Sequence, residues 1–447
     1  VFRPYGIRVY LSPLFSAPMQ LGGLSTSDPR NPAVARWWKD KVDEIYRLIP
    51  DFGGFQMKAN SEGQPGPQEY GANHDDGANM LASALEPHSG MLLWRAFVYD
   101  IGVDEDRAKC ANKEFEPLDG SFQPNVFVQV KNGPIDFQPR EPFHPLLGKM
   151  EQTPLALELQ ITQEYLGQAI HLVYLADMWK EVLDAETYAK GPGSTVAKIV
   201  DGSLFGHEPS CIVGVANSGS DRNWCGHHFS AANWYAFGRL AWDRELSAET
   251  IADEWARMTW SNEAAVLGPI KTMMHGSWTA CVNYMTPLGL HHIMQEGHHY
   301  GPDPAHNSAG REDWNCVYFH RADTEGVGFE RSSSGSNAVS QYRSPLREQF
   351  DNLATCPEMY LLWFHHVPWE HRLQSGRTLW EEMQHLYNEG VASVEGLVDT
   401  WQGLQTSIDD RRHRHVSKRL VQQLDNAREW REVCLNYFGQ FASRENS

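Results

Sequence analysis

The chain has 447 residues, of which 41% are hydrophobic and 11% aromatic, so it can form a sizeable core and exceeds one ordinary domain in length. Its formal net charge of −19 argues against nucleic acid or an anionic membrane as a partner. A small anionic substrate remains compatible with this charge if its pocket is locally basic. The 16 tryptophans exceed the usual number, and although most are expected in the core, a few are available to line a sugar site.

Cysteine usage and the start of the chain bear on its compartment. The seven cysteines include no CxxC pair, and their odd number argues against a complete disulfide framework. The sequence has no apolar run long enough for a bilayer, no signal peptide at Val1 and no N-x-S/T sequon. These features favour a bacterial cytoplasm over a periplasmic or secreted location. Because a strand-like run follows Val1 almost at once, we expect a piece of a longer protein.

Short apolar runs alternate with helical segments up to about residue 240. The runs cover residues 6–12, 52–58, 91–98, 125–131, 155–161 and 211–217. Between the first two runs, Asn31 is a suitable helix cap and Pro32 suits the first turn. Repeated strand–helix units predict parallel strands with right-handed crossovers. A closed (β/α)8 TIM-type barrel needs eight such units, and six are present.

Beyond residue 240 the pattern becomes helical. Ser247 is predicted to cap a helix, and further helices are predicted at 378–388, 391–404 and 416–438. Residues 285–342 are rich in Gly, His and Ser and lack clear periodicity, which is typical of a functional or disordered loop. We therefore predict an α/β barrel domain at 1–240 and an all-helical domain at 241–447. Trp380, Trp401, Trp430 and Phe438 suggest a homodimer contact in the helical domain.

Three carboxylates follow predicted strands, where barrel enzymes carry their catalytic groups. Glu62 precedes two Pro-Gly turns, Asp136 follows the run at 125–131, and Glu164 follows the run at 155–161. Glycoside hydrolysis uses paired carboxylates, and an inverting pair stands roughly 6.5–9.5 Å apart to admit a water. Taken singly, each has a structural alternative: an exposed loop glutamate, a helix N-cap and a first-turn acid, respectively. Three acids in one register favour catalysis and hence a sugar-cleaving enzyme.

Three cations accompany these acids at the same strand ends. Lys58, Arg95 and Lys131 can neutralise the site or bind an anionic substrate. Arg95 offers the better fork for a carboxylate, whereas a lysine acts as a point charge. For a single strand arginine, however, an ion pair within the fold is the favoured interpretation. Glu158 lies on the opposite face from Leu157 and is predicted to be a second-layer group inside the barrel.

Adjacent histidines raise the possibility of a metal site. The pairs are 227–228, 291–292, 298–299 and 365–366. Neighbouring side chains on a strand point to opposite faces, and none of the pairs has the HExxH spacing of a helical zinc site. We therefore expect no bound metal. A metal-dependent barrel hydrolase that uses these histidines and Asp221 remains the alternative.

Six longer motifs resemble the α-glucuronidases of glycoside hydrolase family 67, which act on glucuronoxylan fragments. They are KANSEGQPGP at 58–67, WRAFVYD at 94–100, VQVKNGPID at 128–136, QITQEY at 160–165, SGSDRNW at 218–224 and HHYGP at 298–302. The resemblance extends over essentially the whole chain. It implies inverting removal of glucuronic or 4-O-methyl-glucuronic acid linked α-1,2 to the terminal xylose of a xylooligosaccharide, without a metal or cofactor.

The resemblance also implies roles for individual residues. Glu62 would be the general acid, while Asp136 and Glu164 would hold and activate the water. The other implied roles are uronate binding for Lys58 and Arg95, tuning of the base pair for Lys131, and sugar stacking for Trp314. Which of the two water-holding carboxylates is the base stays open, because coupled acids titrate as a pair.

The chain departs from the family pattern at its start. Family members carry an N-terminal β domain and two further barrel strands upstream of the position that matches Val1. Without those strands, the runs at 6–12 and 211–217 would be open edges, which are prone to association. A carbohydrate-binding remnant that holds uronate without turning it over is therefore a second alternative.

Overall fold

The computed structural model describes residues 1–60, 63, 65–97, 106–208, 210–220 and 222–442. The strands in these ranges are β1 Tyr10–Leu11, β2 Gly54–Met57, β3 Met91–Arg95, β4 Val126–Lys131, β5 Leu155–Gln160, β6 Cys211–Val215, β7 Gly326–Val327 and β8 Val367–Pro368. The helices are α1 Ala17–Gln20, α2 Pro32–Leu48, α3 His74–Leu85, α4 Cys110–Phe115, α5 Ala176–Asp184, α6 Val196–Val200, α7 Ser230–Trp242, α8 Ala248–Thr259, α9 Ala264–Met285, α10 Cys316–His320, α11 Leu346–Asp351, α12 Leu361–Phe364, α13 Leu379–Gly403 and α14 Asp410–Ala442.

The first six strands form one parallel sheet in chain order, β1 to β6. This confirms the predicted strands and their parallel arrangement, and their carboxyl ends meet at one edge. Gly54 has a φ of +140°, and a Cβ there would lie 1.8 Å from the carbonyl oxygen of Met91, so the β2–β3 contact requires glycine. In the described ranges β1 pairs only with β2 and β6 only with β5. The sheet is a half-barrel, in agreement with the predicted six of eight strands.

The predicted caps are confirmed. The Asn31 side chain accepts a hydrogen bond from the backbone N–H of Ala33, and Pro32 is the first residue of α2. The Ser247 side chain accepts from the N–H of Thr250 at the start of α8. The run predicted as a strand at 6–12 is ordered as β1 over two residues only, because β1 has a single neighbouring strand in the described chain.

The helical region differs from its prediction in two places. The segments predicted at 378–388 and 391–404 form one helix, α13, in which Gly390 faces the backbone of α9: a Cβ at Gly390 would lie 2.6 Å from the Tyr284 nitrogen. Glycine therefore serves close helix packing here, not a break between helices. Helix α9 was not predicted, because twelve of its residues are buried and its apolar residues show no one-sided periodicity.

Of the four aromatic residues named for a homodimer contact, three are unavailable to a partner and Trp380 is partly buried. Trp401, Trp430 and Phe438 are completely buried within the chain, so they belong to its core and are inaccessible to a partner. The homodimer and the division at residue 240 stay predictions. The described residues contain no helix long and apolar enough to cross a membrane.

The helical region packs directly on the barrel. The backbone N–H of Tyr174 donates to Ser277 of α9 at 2.8 Å, and that of Leu172 donates to Gln423 of α14 at 2.9 Å. Because both contacts are buried, the helices fix the loop that follows β5. This arrangement brings the residues at 285–320 over the carboxyl ends of the strands.

Candidate active site

The loop after β4 is shaped by one buried carboxylate. Glu141 accepts hydrogen bonds from the backbone N–H groups of Ile135 at 2.6 Å, Asp136 at 3.1 Å and Gln138 at 2.9 Å. Burial nevertheless raises the pKa of Glu141 above its ordinary value. Within this loop Phe137 has a φ of +50°, a backbone conformation that is uncommon for residues other than glycine. Glu141 therefore fixes the direction in which Asp136 points.

Asp136 is a buried carboxylate with a positive neighbour. It forms an ion pair with Lys131, the last residue of β4, and accepts a hydrogen bond from the Tyr165 hydroxyl at 2.8 Å. Burial alone would raise its pKa, but the charges of Lys131 and Arg107 and these hydrogen bonds lower the pKa of Asp136 to about 2. Burial also lowers the pKa of Lys131, to about 8. At neutral pH both groups are therefore charged.

The three predicted cations converge on one aromatic ring. The Lys131 Nζ lies 3.1 Å from the centroid of the Phe97 ring, the Lys58 Nζ lies 4.7 Å from it, and the Arg95 guanidinium carbon lies 5.1 Å from it. Cations at such distances interact favourably with the ring face. We call Lys58, Arg95 and Lys131 the cation cluster, and it lies beside Asp136.

Arg95 already has a carboxylate partner. Its Nε donates to Glu158 Oε2 at 3.0 Å and its Nη2 donates to Glu158 Oε1, which makes a forked ion pair. Gln129 also donates to Glu158, at 2.6 Å, and the Glu158 side chain is 1% exposed. The ion-pair interpretation of Arg95 and the second-layer position of Glu158 are confirmed. Uronate binding by Arg95 stays a prediction.

Glu164 has a more open environment than Asp136. Its side chain is 41% exposed and accepts from the Gln160 amide at 3.0 Å, and the His299 Nδ1 lies 3.0 Å from its Oε1. The His299 ring stacks on the Tyr165 ring, with centroids 4.7 Å apart. Because Tyr165 also contacts Asp136, a continuous chain of side chains joins the two predicted water-holding carboxylates.

Asp136 opens onto a cavity of about 290 Å³. Trp314, which is 41% exposed, lines this cavity, and the Arg311 guanidinium lies 5.3 Å from its ring. The other lining residues are Arg107, Tyr165, His292, Met294, Glu296, Gly297, His299 and His306. The barrel thus supplies a carboxylate to this cavity, and the helical region supplies an aromatic side chain to it.

A larger groove of about 860 Å³ adjoins this cavity. The groove is lined by Glu164, Gln160 and the half-exposed Trp224, and it shares Gly297 and His299 with the cavity. Glu164 therefore lines the groove next to the cavity that contains Asp136, and His299 lines both spaces.

Two residues named in the sequence analysis, Glu62 and Asp221, lie outside the described residues. The histidine pairs take part in contacts within the fold: His365 contacts the Phe350 carbonyl at 2.8 Å, and His366 contacts that of Gly328 at 3.0 Å. Across the described ranges, no group of three or more His, Cys, Asp or Glu side chains is arranged to hold a metal.

Sequence reasoning missed Arg107 and Glu141. Arg107 is 6% exposed and lines the cavity, yet it belongs to no predicted strand end. Glu141 lies five residues beyond Asp136, and its sequence context carries no sign that it turns back on the loop. Phe97, Tyr165 and His299 were not predicted as site residues either, but each of them lies in a motif quoted for the resemblance.

The sequence is similar to known proteins along the whole chain. The model described as "Glycosyl hydrolase family 67 middle domain" matches residues 1–224, and the one described as "Glycosyl hydrolase family 67 C-terminus" matches residues 225–447. Alpha-glucuronidase A of Emericella nidulans is 43% identical and that of Aspergillus tubingensis 41%, over 98% of this chain and 52% of each relative. The chain thus spans about half the length of the curated relatives that it matches. These matches show that the chain belongs to glycosyl hydrolase family 67.

Proposed function

We propose that this chain carries the catalytic groups of an inverting α-glucuronidase. The substrate is a xylooligosaccharide whose terminal xylose bears an α-1,2-linked glucuronic or 4-O-methyl-glucuronic acid. The observation that carries the proposal is the buried, ionised Asp136, which lines the same cavity as Trp314 and lies beside a cation cluster. An acidic sugar needs positive charge nearby, and a sugar ring suits an exposed tryptophan face.

The pKa of Asp136 restricts its role. A carboxylate with a pKa of about 2 holds no proton near neutral pH, so Asp136 is unsuited to protonating a leaving group. It is suited to accepting a hydrogen bond from water. In the proposal Asp136 and Glu164 hold the water, and Glu62 is the general acid.

Hydrolysis then proceeds in one displacement. Glu62 gives its proton to the xylose oxygen as the bond between that oxygen and the anomeric carbon breaks. Water attacks the anomeric carbon from the opposite face, and its proton passes to the Asp136–Glu164 pair. The products are the xylooligosaccharide and a β-uronic acid. The proton accepted from water returns to Glu62 through solvent.

The cation cluster binds the uronate carboxylate in this proposal, with Lys58 and Arg95 as its direct partners. Lys131 keeps Asp136 ionised. Trp314 stacks on the sugar, so the helical region contributes to the site.

Proton NMR of a terminally 4-O-methyl-glucuronosylated xylooligosaccharide, mixed with the chain in EDTA, tests the proposal. The expected first product is free β-uronic acid, and the matched Glu62→Gln variant is expected to bind substrate without releasing product. Initial release of the α-anomer would contradict inversion, and activity lost only in EDTA would favour a metal-dependent hydrolase. Wild-type turnover by Glu62→Gln would remove Glu62 as the acid.

A chain that holds uronate without turning it over is the second candidate function. Calorimetry that detects substrate binding while NMR detects no product would support this candidate. Repeating the NMR experiment with a chimera that adds the upstream half of the Emericella nidulans relative then separates the cases. Turnover by the chimera would identify an incomplete enzyme, whereas its absence would contradict the catalytic proposal.

A further inference from the structure

Arg107 lies between two parts of the site. It begins a single 3₁₀ turn, Arg107–Lys109, and lines the cavity that contains Asp136 and Trp314. It also lines a narrow cleft of about 20 Å³ next to Phe97 and Lys131. Arg107 therefore joins the cation cluster to the wall that carries Trp314.

A buried ion pair holds this turn in place. Asp106 precedes the turn and caps it, accepting from the Ala108 N–H at 3.1 Å. The other Asp106 oxygen accepts from the Arg331 Nε at 2.7 Å and from the Ser336 hydroxyl at 2.8 Å. The side chains of Asp106 and Arg331 are both 0% exposed. Such a pair is costly to break from one side, so it fixes the position of Arg107.

Arg107 itself contacts the turn that carries Trp314. Its Nη1 donates to the Asp313 carbonyl at 3.2 Å, and its backbone N–H donates to the Tyr318 hydroxyl at 3.1 Å. The neighbouring Lys109 donates to the Ser336 carbonyl at 3.0 Å. Arg107 is thus hydrogen-bonded to the helical region, at the turn that carries Trp314 and at Tyr318.

We propose that Arg107 is a further substrate-binding residue, which contacts the substrate where the uronic acid joins its xylose. The inference deepens the proposed function and rests on it. The uronate lies at the cation cluster and the neighbouring sugar lies against Trp314, so the linkage between them passes Arg107. A guanidinium presents several donors in one plane, which suits the adjacent oxygens of two joined sugars.

The test is calorimetric binding of a sulfur-linked, non-hydrolysable 4-O-methyl-glucuronosyl xylobiose to the full chain. Arg107→Met is expected to weaken binding of this analogue about tenfold or more, since hydrogen bonds to charged groups are among the stronger ones. Binding of free glucuronic acid is expected to weaken less, because it does not span the junction. Arg107→Lys is expected to give an intermediate affinity.

Arg321→Met is the matched control. The Arg321 guanidinium lies 3.5 Å from the centroid of the Phe329 ring in the helical region, and Arg321 does not line the cavity, so wild-type affinity is expected. Circular dichroism establishes that each variant is folded. If Arg107→Met unfolds, Arg107→Lys decides, because wild-type affinity in that variant would contradict a forked contact.

The outcomes separate this inference from the proposed function. A folded Arg107→Met variant that binds the analogue within twofold of wild type would overturn the role of Arg107 and leave the proposed function standing. Failure of the wild-type chain to bind the analogue would instead overturn both.

Discussion

The two carboxylates predicted to hold water follow neighbouring strands, yet their surroundings differ. Asp136 is buried, paired with Lys131 and fixed by the Glu141 contacts to its loop. Glu164 has a side chain that is 41% exposed, and its described contacts are with Gln160 and His299. The same position at a strand end therefore gives one rigid, strongly ionised group and one open to solvent.

Because of this difference, we expect substitution of Asp136 and substitution of Glu164 to change stability by different amounts. Removing the charge of Asp136 leaves Lys131 buried without its partner, so folding and chemistry both suffer. Removing the charge of Glu164 leaves an exposed amide that water can solvate. Stability measurements can therefore distinguish the two positions even if both variants are inactive.

Asp136→Asn is expected to have the largest effect. The free energy of unfolding should fall by about 3 kcal/mol, because Lys131 remains buried with a neutral partner. Turnover should fall roughly 10³-fold, within the range for losing an acid–base group. Urea unfolding and the NMR assay measure these effects. Asp119→Asn is the control, since Asp119 binds the backbone of the loop at 151–153, and its turnover should stay unchanged once the variant is folded.

Glu164→Gln is expected to lower turnover roughly 10²-fold while changing the free energy of unfolding by less than about 0.5 kcal/mol. The small stability change follows from the exposure of the Glu164 side chain. Glu395→Gln is matched in exposure, with a side chain 46% exposed, and should alter neither quantity. If Glu164→Gln turns over at the wild-type rate, Asp136 alone is the base.

The smallest expected effect is the pH dependence of turnover and of stability, which should change in opposite directions as Lys131 loses its proton. The pKa of Lys131 is about 8 in the folded chain and about 10.4 in an unfolded one. Above pH 8 the loss of its proton should lower turnover, because Asp136 loses its positive partner. Between those two pKa values the unfolded chain binds more protons at Lys131, so this group makes stability rise with pH.

Turnover rates and melting temperatures measured from pH 6 to 10 test whether turnover falls while the contribution of Lys131 to stability rises. Lys131→Arg is the matched variant, because arginine does not titrate in this range, so the alkaline decrease in turnover should disappear. A decrease that persists in Lys131→Arg would assign it to another group.

Part of the site could be predicted because strand ends are local features. The apolar run at 125–131 places Lys131 and Asp136 at a carboxyl edge, and both lie there. Arg107 could not be found in this way, because its contact with Tyr318 joins residues 211 positions apart. Glu141 could not be found for a different reason: its partners are nearby backbone N–H groups, which any sequence would supply.

Apolar periodicity and capping act over a few residues, so the six parallel strands and the caps at Asn31 and Ser247 could be predicted from sequence, as could the placement of Asp136 and Glu164 after their strands. The pairing of Arg95 with Glu158, the continuation of α13 through Gly390 and the burial of Trp401 became visible only in the folded chain. These features depend on how segments that are distant in the sequence pack together, because that packing decides whether a side chain is buried and which residue it contacts.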